Sequence, residues 1–177
     1  MMSSRVPASA LRQFVEQTME PMRVARLKQF RKTVKPVMGW KVTSSAGKRG
    51  HLETITQISL PVGTTVFVGD TDGYANESFM YRIWRANQAT VVGNRLARRP
   101  SHEELHAIRK AGSEIDLTAF NAEPDDFTCT LSTYDPEFEY RIGELVVPRG
   151  RDFSFEEGYY GPGIHFFVDL YDAYTFT

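Results

Sequence analysis

The sequence predicts a single α+β domain, in which N-terminal helices pack on a mostly antiparallel β-sheet. Apolar residues recur at intervals of three and four before residue 35, as they do on one face of an amphipathic helix. From about residue 40 onwards, β-branched or alternating segments follow one another, as they do in strands. Strands and helices do not alternate in the βαβ rhythm of a parallel sheet, so antiparallel pairing is expected.

Two helices are predicted before residue 35. The first begins after Ser9 and carries an apolar stripe at Leu11, Phe14, Val15 and Met19. The second begins at Pro21, because proline suits a first helical turn. Its stripe is Met22, Ala25, Leu27 and Phe30. These helices define an N-terminal segment, 1–34, ahead of an α+β domain, 35–177.

Strands are predicted through most of the remaining chain. A short helix, 100–110, interrupts them, and a helical turn at 169–173 follows the last one. The strands are predicted at 40–43, 53–60, 64–68, 79–85, 89–92, 125–131, 140–143, 144–147 and 163–168.

Length and composition favour one intracellular domain. A chain of 177 residues fits a single domain that buries about 70% of its unfolded surface. Cys129 is the only cysteine, which excludes an internal disulfide and a four-cysteine zinc site. No apolar run approaches the roughly 20 residues that cross a bilayer, and the N-terminus lacks the apolar core of a secretory signal. The prediction is a cytoplasmic protein that does not insert into membranes.

The net charge of −1 conceals a strong asymmetry. Residues 1–113 hold 18 Lys and Arg against 8 Asp and Glu, whereas residues 114–177 hold 3 against 14. Such a basic region predicts a surface for a nucleic acid, another anion or an acidic protein. The alternative is that it lies against the acidic part of the same fold or of a second copy. The window 21–52 is the most basic part and contains no acidic residue; its nine basic residues are Arg23, Arg26, Lys28, Arg31, Lys32, Lys35, Lys41, Lys48 and Arg49.

One motif has the spacing of a zinc hydrolase. His102 and His106 form H-E-x-x-H, which on a helix sets two imidazoles one turn apart, with Glu103 as general base. The competing interpretation is a capping box, in which Ser101 and Glu104 satisfy free amides at the start of a helix. That helix would be short and surrounded by basic residues, whereas hydrolytic zinc needs a dry cleft. We favour the capping box, and neither a metal nor another cofactor is predicted.

The C-terminal strand places one histidine among aromatic residues. Alternation along this strand sets Ile164 and Phe166 on one face and His165 and Phe167 on the other. His165 could stack on a planar ligand, or its ring nitrogens could simply be satisfied by the backbone. The residues predicted to line a ligand pocket are Tyr140, Tyr160, His165 and Phe167.

Two segments of the C-terminal part carry a family resemblance. They are Tyr134-Asp-Pro-Glu-Phe-Glu-Tyr-Arg-Ile-Gly and Gly163-Ile-His-Phe-Phe. This arrangement resembles an uncharacterised domain family of giant viruses and bacteriophages, with the best match over 134–173. The resemblance implies a virus- or phage-associated interaction or assembly protein, located in the host cytoplasm or the virion. The cysteines usual in that family are missing at the matching positions, so no cysteine-dependent property is implied.

A second similarity concerns the same strand. Gly163-Ile-His-Phe is similar to the G-I-Y-F-A strand of poly-ADP-ribose polymerases, whose tyrosine stacks on nicotinamide. That similarity implies a nucleotide-binding alternative with His165 at the stacking position. Those enzymes carry their catalytic glutamate well downstream, and this chain ends at Thr177. The expected activity is therefore binding, not turnover.

Overall fold

The structure is a computed structural model, and the elements that it describes in full are helix α1 and eleven strands. It describes residues 8–24, 27, 29–45, 53–68, 83–96, 103, 128–149, 153–155, 161–170 and 172–173. The elements are α1 (Ala8–Thr18), β1 (Met19–Pro21), β2 (Phe30–Thr33), β3 (Val37–Ser45), β4 (Glu53–Leu60), β5 (Thr65–Phe67), β6 (Trp84–Ala86), β7 (Ala89–Leu96), β8 (Cys129–Ser132), β9 (Glu139–Arg141), β10 (Leu145–Val146) and β11 (Ile164–Phe166).

The strands form two antiparallel sheets. The five-stranded sheet has the order β1-β2-β5-β6-β11, and the six-stranded sheet has the order β10-β7-β4-β3-β8-β9. The fold is therefore mostly β, and the predicted α+β class, with N-terminal helices packed on one sheet, is wrong.

The second predicted helix is the main source of that error. Met19–Pro21 and Phe30–Thr33 are strands of one sheet, with Met19 opposite Thr33. Pro21 closes a strand at the sheet edge, where its missing N–H removes no central ladder bond. Phe30 is fully buried, and its ring centroid lies 5.2 Å from that of Phe67. Pairing with distant strands thus overrides a local spacing that suits a helix.

The first predicted helix is confirmed as α1, except that Ser9 lies inside it and Met19, predicted on its apolar stripe, begins β1. Leu11 and Val15 on α1 are buried, and Phe14 packs against the same core. The Thr18 hydroxyl donates to the Phe14 carbonyl at 2.7 Å in the last turn. The chain then enters β1 directly, so this helix is joined to the five-stranded sheet without a linker.

Most of the predicted strands are confirmed where the structure describes them. β3 and β4 pair over eight residues, and β9 and β10 reproduce the predicted strand, turn and strand. A helical turn follows β11, where the Asp172 amide donates to the Asp169 carbonyl at 3.0 Å. The predicted helix 100–110 lies outside the described residues apart from Glu103.

One hydrophobic core joins the two sheets. It contains Val37 and Ile58 of the six-stranded sheet together with Trp84 and Phe166 of the five-stranded sheet. Gly39 permits this contact, because a Cβ there would lie 2.5 Å from Cδ2 of Phe166. The core also draws on residues from both sides of the predicted boundary at 34/35.

The sheets are also joined through their backbones. The Trp40 amide donates to the Phe167 carbonyl at 2.8 Å, and the Phe167 amide donates to the Trp40 carbonyl at 2.8 Å. This Trp40–Phe167 bridge places the residue after β11 beside the middle of β3. Among the residues described above, no helix has the length and apolar character needed to cross a bilayer.

Candidate ligand-binding pocket

A pocket opens where β3 changes partner. Trp40 on β3 pairs with Phe167, whereas Thr43–Ser45 pair with β8. Lys41 lies between these two pairings and lines a pocket of about 680 Å³. Strands β8 and β9 contribute one wall, and the segment 161–167 contributes the other. The pocket therefore has the six-stranded sheet on one side and the five-stranded sheet on the other.

Lys41 is the most unusual residue of this pocket. Its side chain lies on the same face of β3 as Val37 and Gly39, which is the face that meets the other sheet. It is only 5% exposed, and its Nζ donates to the His165 carbonyl at 3.0 Å. Burial lowers the pKa of Lys41 to about 8. No carboxylate pairs with this amine within the described part of the chain.

Tyr140 lies beside that amine. The Lys41 Nζ is 5.7 Å from the centroid of the Tyr140 ring, and Tyr140 is 3% exposed. Burial, with a smaller contribution from Asp135, raises the pKa of the Tyr140 phenol, which therefore stays protonated. Its hydroxyl makes no hydrogen bond to any residue that the structure describes. The pocket thus holds a buried phenol and a buried amine, each able to donate further hydrogen bonds.

A tight turn fixes another part of the pocket wall. The Asp135 carboxylate accepts from the Glu137 amide at 3.0 Å, and the Ser132 hydroxyl accepts from the Tyr134 amide at 3.3 Å. Arg149 is exposed, lines the same pocket and donates to the Glu137 carbonyl at 2.8 Å. The wall therefore adds one cation and one carboxylate to the pocket.

A buried network of hydroxyl groups supports Lys41 and Tyr140. The Thr56 hydroxyl lies 2.8 Å from that of Thr43, 2.9 Å from that of Thr130 and 2.7 Å from Oδ1 of Asn94. Thr56 is opposite Lys41 in the β3–β4 ladder. Nδ2 of Asn94 on β7 donates to the Tyr140 carbonyl at 3.0 Å, which ties β9 to β7 within the six-stranded sheet.

Arg85 anchors the opposite wall. It is fully buried, and its guanidinium carbon lies 4.8 Å from the Phe67 ring centroid and 5.1 Å from that of Phe153. Its Nη1 donates to the Pro162 carbonyl at 2.9 Å. Gly161 suits this close approach, because a Cβ there would lie 2.7 Å from the guanidinium carbon. Arg85 thereby fixes the 161–163 segment that lines the pocket.

Three of the four predicted pocket residues line one pocket: Tyr140, His165 and Phe167. Tyr160 lies outside the described residues, and the ligand-binding role of all four stays a prediction. His165 contributes its carbonyl to Lys41, while Ile164 and Phe166 belong to the core, as alternation along the strand predicted.

Sequence reasoning missed Lys41 and Arg149 as pocket residues. Lys41 was grouped with the basic surface, and its burial corrects that assignment. The sequence held no signal for this, because Trp40 and Val42 alternate with Lys41 along the strand, a pattern that predicts an exposed lysine.

The other charged predictions are only partly described. Arg23, Lys32 and Lys35 are exposed, and Arg31 is half-buried. Those outside the described residues are Arg26, Lys28, Lys48 and Arg49. His102 and His106 also lie outside them, so the H-E-x-x-H prediction cannot be located. Within the part that is described, no three His, Cys, Asp or Glu side chains form a metal-binding group.

Comparison of the chain with protein-family models, with curated proteins and with solved structures gave no match.

Proposed function

We propose that the protein is a non-catalytic binding protein whose pocket takes a flat, anionic small molecule. The observation that carries the proposal is Lys41, a buried amine on the pocket wall that no described carboxylate neutralises. Removing an ammonium group from water is costly unless another charge or several acceptors replace the solvent. An anionic ligand would supply both.

The donors around the pocket suit an anion. A protonated lysine has three N–H donors, of which the His165 carbonyl takes one. The Tyr140 hydroxyl adds a donor, and Arg149 adds a second positive charge at the surface. Hydrogen bonds between ionised partners are about twice as strong as neutral ones, so a phosphate or carboxylate would gain most from this arrangement.

The walls favour a flat molecule. Four aromatic residues are among those that line the pocket, so an aromatic ligand would meet apolar surface there: Phe138, Tyr140, Phe166 and Phe167. A volume of about 680 Å³ lies within the range of pockets that hold small ligands, roughly 300–1,000 Å³.

Calorimetric titration with pyridoxine 5′-phosphate, a flat ring that carries a phosphate, tests this function. We expect saturable binding to the wild type, at least about tenfold weaker binding to Lys41→Met and weaker binding to Arg149→Gln, because each removes a positive charge. Arg141→Gln is the control, because Arg141 is an exposed cation outside the pocket. Equal affinities for all four proteins, or no binding to any, would contradict the proposal.

A nucleotide-binding alternative has one observation in its favour. Asp135 and His165 line the same pocket, so a carboxylate and an imidazole share a cavity as an ADP-ribosyltransferase-like site requires. Titration with NAD decides this alternative: binding that weakens in both His165→Ala and Asp135→Asn supports it, and a flat titration removes it.

We further propose that the protein is virus- or phage-associated and acts through a protein partner or a second copy of itself. The resemblance over 134–173 supports the association, and the exposed cations Arg23, Lys32 and Lys35 support a salt-sensitive contact. Neighbouring genes for capsid or anti-defence proteins would favour this setting. Sedimentation at low and high salt, with Lys32→Gln/Lys35→Gln as the variant, tests the contact itself.

A further inference from the structure

We propose that Lys41 is a covalent attachment site, at which its amine condenses with the aldehyde or ketone of an anionic ligand and holds that ligand as an imine. This inference rests on the proposed binding function of the pocket and adds one bond to it. The ligand class is thereby narrowed to carbonyl compounds that also carry a phosphate or a carboxylate.

The geometry leaves the amine available for attack. A neutral lysine amine has two N–H donors and one lone pair, and the His165 carbonyl at 3.0 Å takes one N–H. No carboxylate is paired with Nζ within the described ranges, so no ion pair holds the amine in its protonated form. Lys41 also lines a pocket large enough for a ligand, whereas the described lysines Lys32 and Lys35 are exposed.

Burial also sets the charge of the amine. With a pKa of about 8, about a tenth of the Lys41 amines are neutral at pH 7. An ordinary lysine has roughly one neutral amine in 3,000 at that pH. Desolvation in an apolar pocket is a recognised way to activate a lysine nucleophile, and here it coincides with the free lone pair.

The condensation is balanced without a redox partner. The Nζ lone pair forms a bond to the carbonyl carbon, and the electrons of the C–O π bond move to oxygen, which takes up a proton. One amine proton is then lost, the hydroxyl group takes up a second proton and departs as water, and loss of the remaining N–H proton gives the imine. Tyr140, whose ring centroid lies 5.7 Å from Nζ and whose phenol is kept protonated by burial, is the residue we assign as proton donor to the carbonyl oxygen and the leaving hydroxyl.

Reductive trapping with pyridoxal 5′-phosphate tests this step. The full chain is incubated with the aldehyde, reduced with borohydride and analysed by peptide mass spectrometry. We expect about one adduct per chain, located on Lys41, with an absorbance change on imine formation that follows a midpoint near pH 8. Excess pyridoxine 5′-phosphate, which cannot form an imine, should suppress the adduct, and Lys41→Met should lack it.

The possible outcomes distinguish covalent attachment to Lys41 from non-covalent binding in the pocket. If pyridoxine 5′-phosphate binds but reduction labels only exposed lysines, the covalent inference is overturned and the proposed function stands. If Lys41 is labelled equally by pyridoxal, which lacks the phosphate, the covalent site stands and the anion preference falls. If neither phosphate compound binds and Lys41 is not labelled, both proposals fall. Because labelling is measured on the wild type, these outcomes do not depend on how a variant folds.

Discussion

Lys41 lowers the stability of the fold that contains it. The difference between a pKa of 10.5 in a solvated lysine and about 8 in the folded protein corresponds to a cost of about 3 kcal/mol for the charged amine. Below pH 8 the amine is protonated in the folded and unfolded states, so the full cost applies. Between pH 8 and 10.5 the unfolded chain holds more protons, so stability rises with pH, and above 10.5 the cost is gone.

Lys41→Met is therefore expected to stabilise the protein. Methionine keeps the apolar stem and removes the charge, at the loss of one hydrogen bond worth about 1 kcal/mol. We expect the free energy of unfolding at pH 7 to rise by about 1–3 kcal/mol in urea denaturation, and the gain to shrink at pH 10. Lys35→Met, on an exposed lysine, should change it by less than about 0.5 kcal/mol. If Lys41→Met instead destabilises the protein at pH 7, the hydrogen bonds of the Lys41 amine outweigh the cost of burying its charge, and the prediction is wrong.

Strand β3 is the element on which the fold and the pocket both depend. It pairs with β4 along one edge. Along the other edge it pairs with β8 at Thr43–Ser45 and with Phe167 of the opposite sheet at Trp40. The face of β3 that meets the other sheet carries an apolar side chain at Val37 and polar side chains at Lys41 and Thr43. The pocket lies where this face changes from apolar to polar.

Gly39→Ala tests how closely the sheets pack at β3. The added methyl group would lie 2.5 Å from Cδ2 of Phe166 and 3.2 Å from the Phe167 carbonyl oxygen, so atoms in the core must shift. We expect the free energy of unfolding to fall by about 1–3 kcal/mol, measured from the denaturant midpoint. Gly93→Ala on β7 is the matched control, because a Cβ there meets nothing within 4 Å. Equal effects of the two substitutions would mean that Phe166 relaxes freely.

Sequence signals sufficed for elements whose pattern is local. Half of the residues of β4 are β-branched, and α1 has a regular apolar stripe, so both could be predicted. β2 could not, because Phe30 is buried by Phe67 and Phe153, which are far away in sequence. The pocket depends on similar long-range pairing. His165 was recognisable as a candidate, but its carbonyl meets the Lys41 amine only after β11 has reached β3.

At the scale of the whole molecule, residues before position 35 belong to the shared core. Leu11 and Val15 on α1 pack in the cluster that also holds Trp84 and Ile164. β2 covers the edge of β5, with Phe30 opposite Phe67. A boundary at 34/35 would cut through this packing.

Deletion of residues 1–34 is therefore expected to abolish cooperative folding. The deletion removes α1 and two strands, exposing the edge of β5 and one side of the core. We expect the 35–177 fragment to lose its near-ultraviolet circular dichroism and its sigmoidal urea transition, and to regain them only when the 1–34 peptide is added. A fragment that unfolds cooperatively by itself would support two separate units.

The Trp40–Phe167 bridge is one backbone pairing between the two sheets, and the pocket beside it has one wall in each sheet. A ligand in this pocket would contact both sheets at once, so ligand binding would strengthen the contact between the sheets and ligand release would weaken it. Ligand affinity and the stability of the contact between the sheets are then thermodynamically linked, so a change in one can be measured through the other.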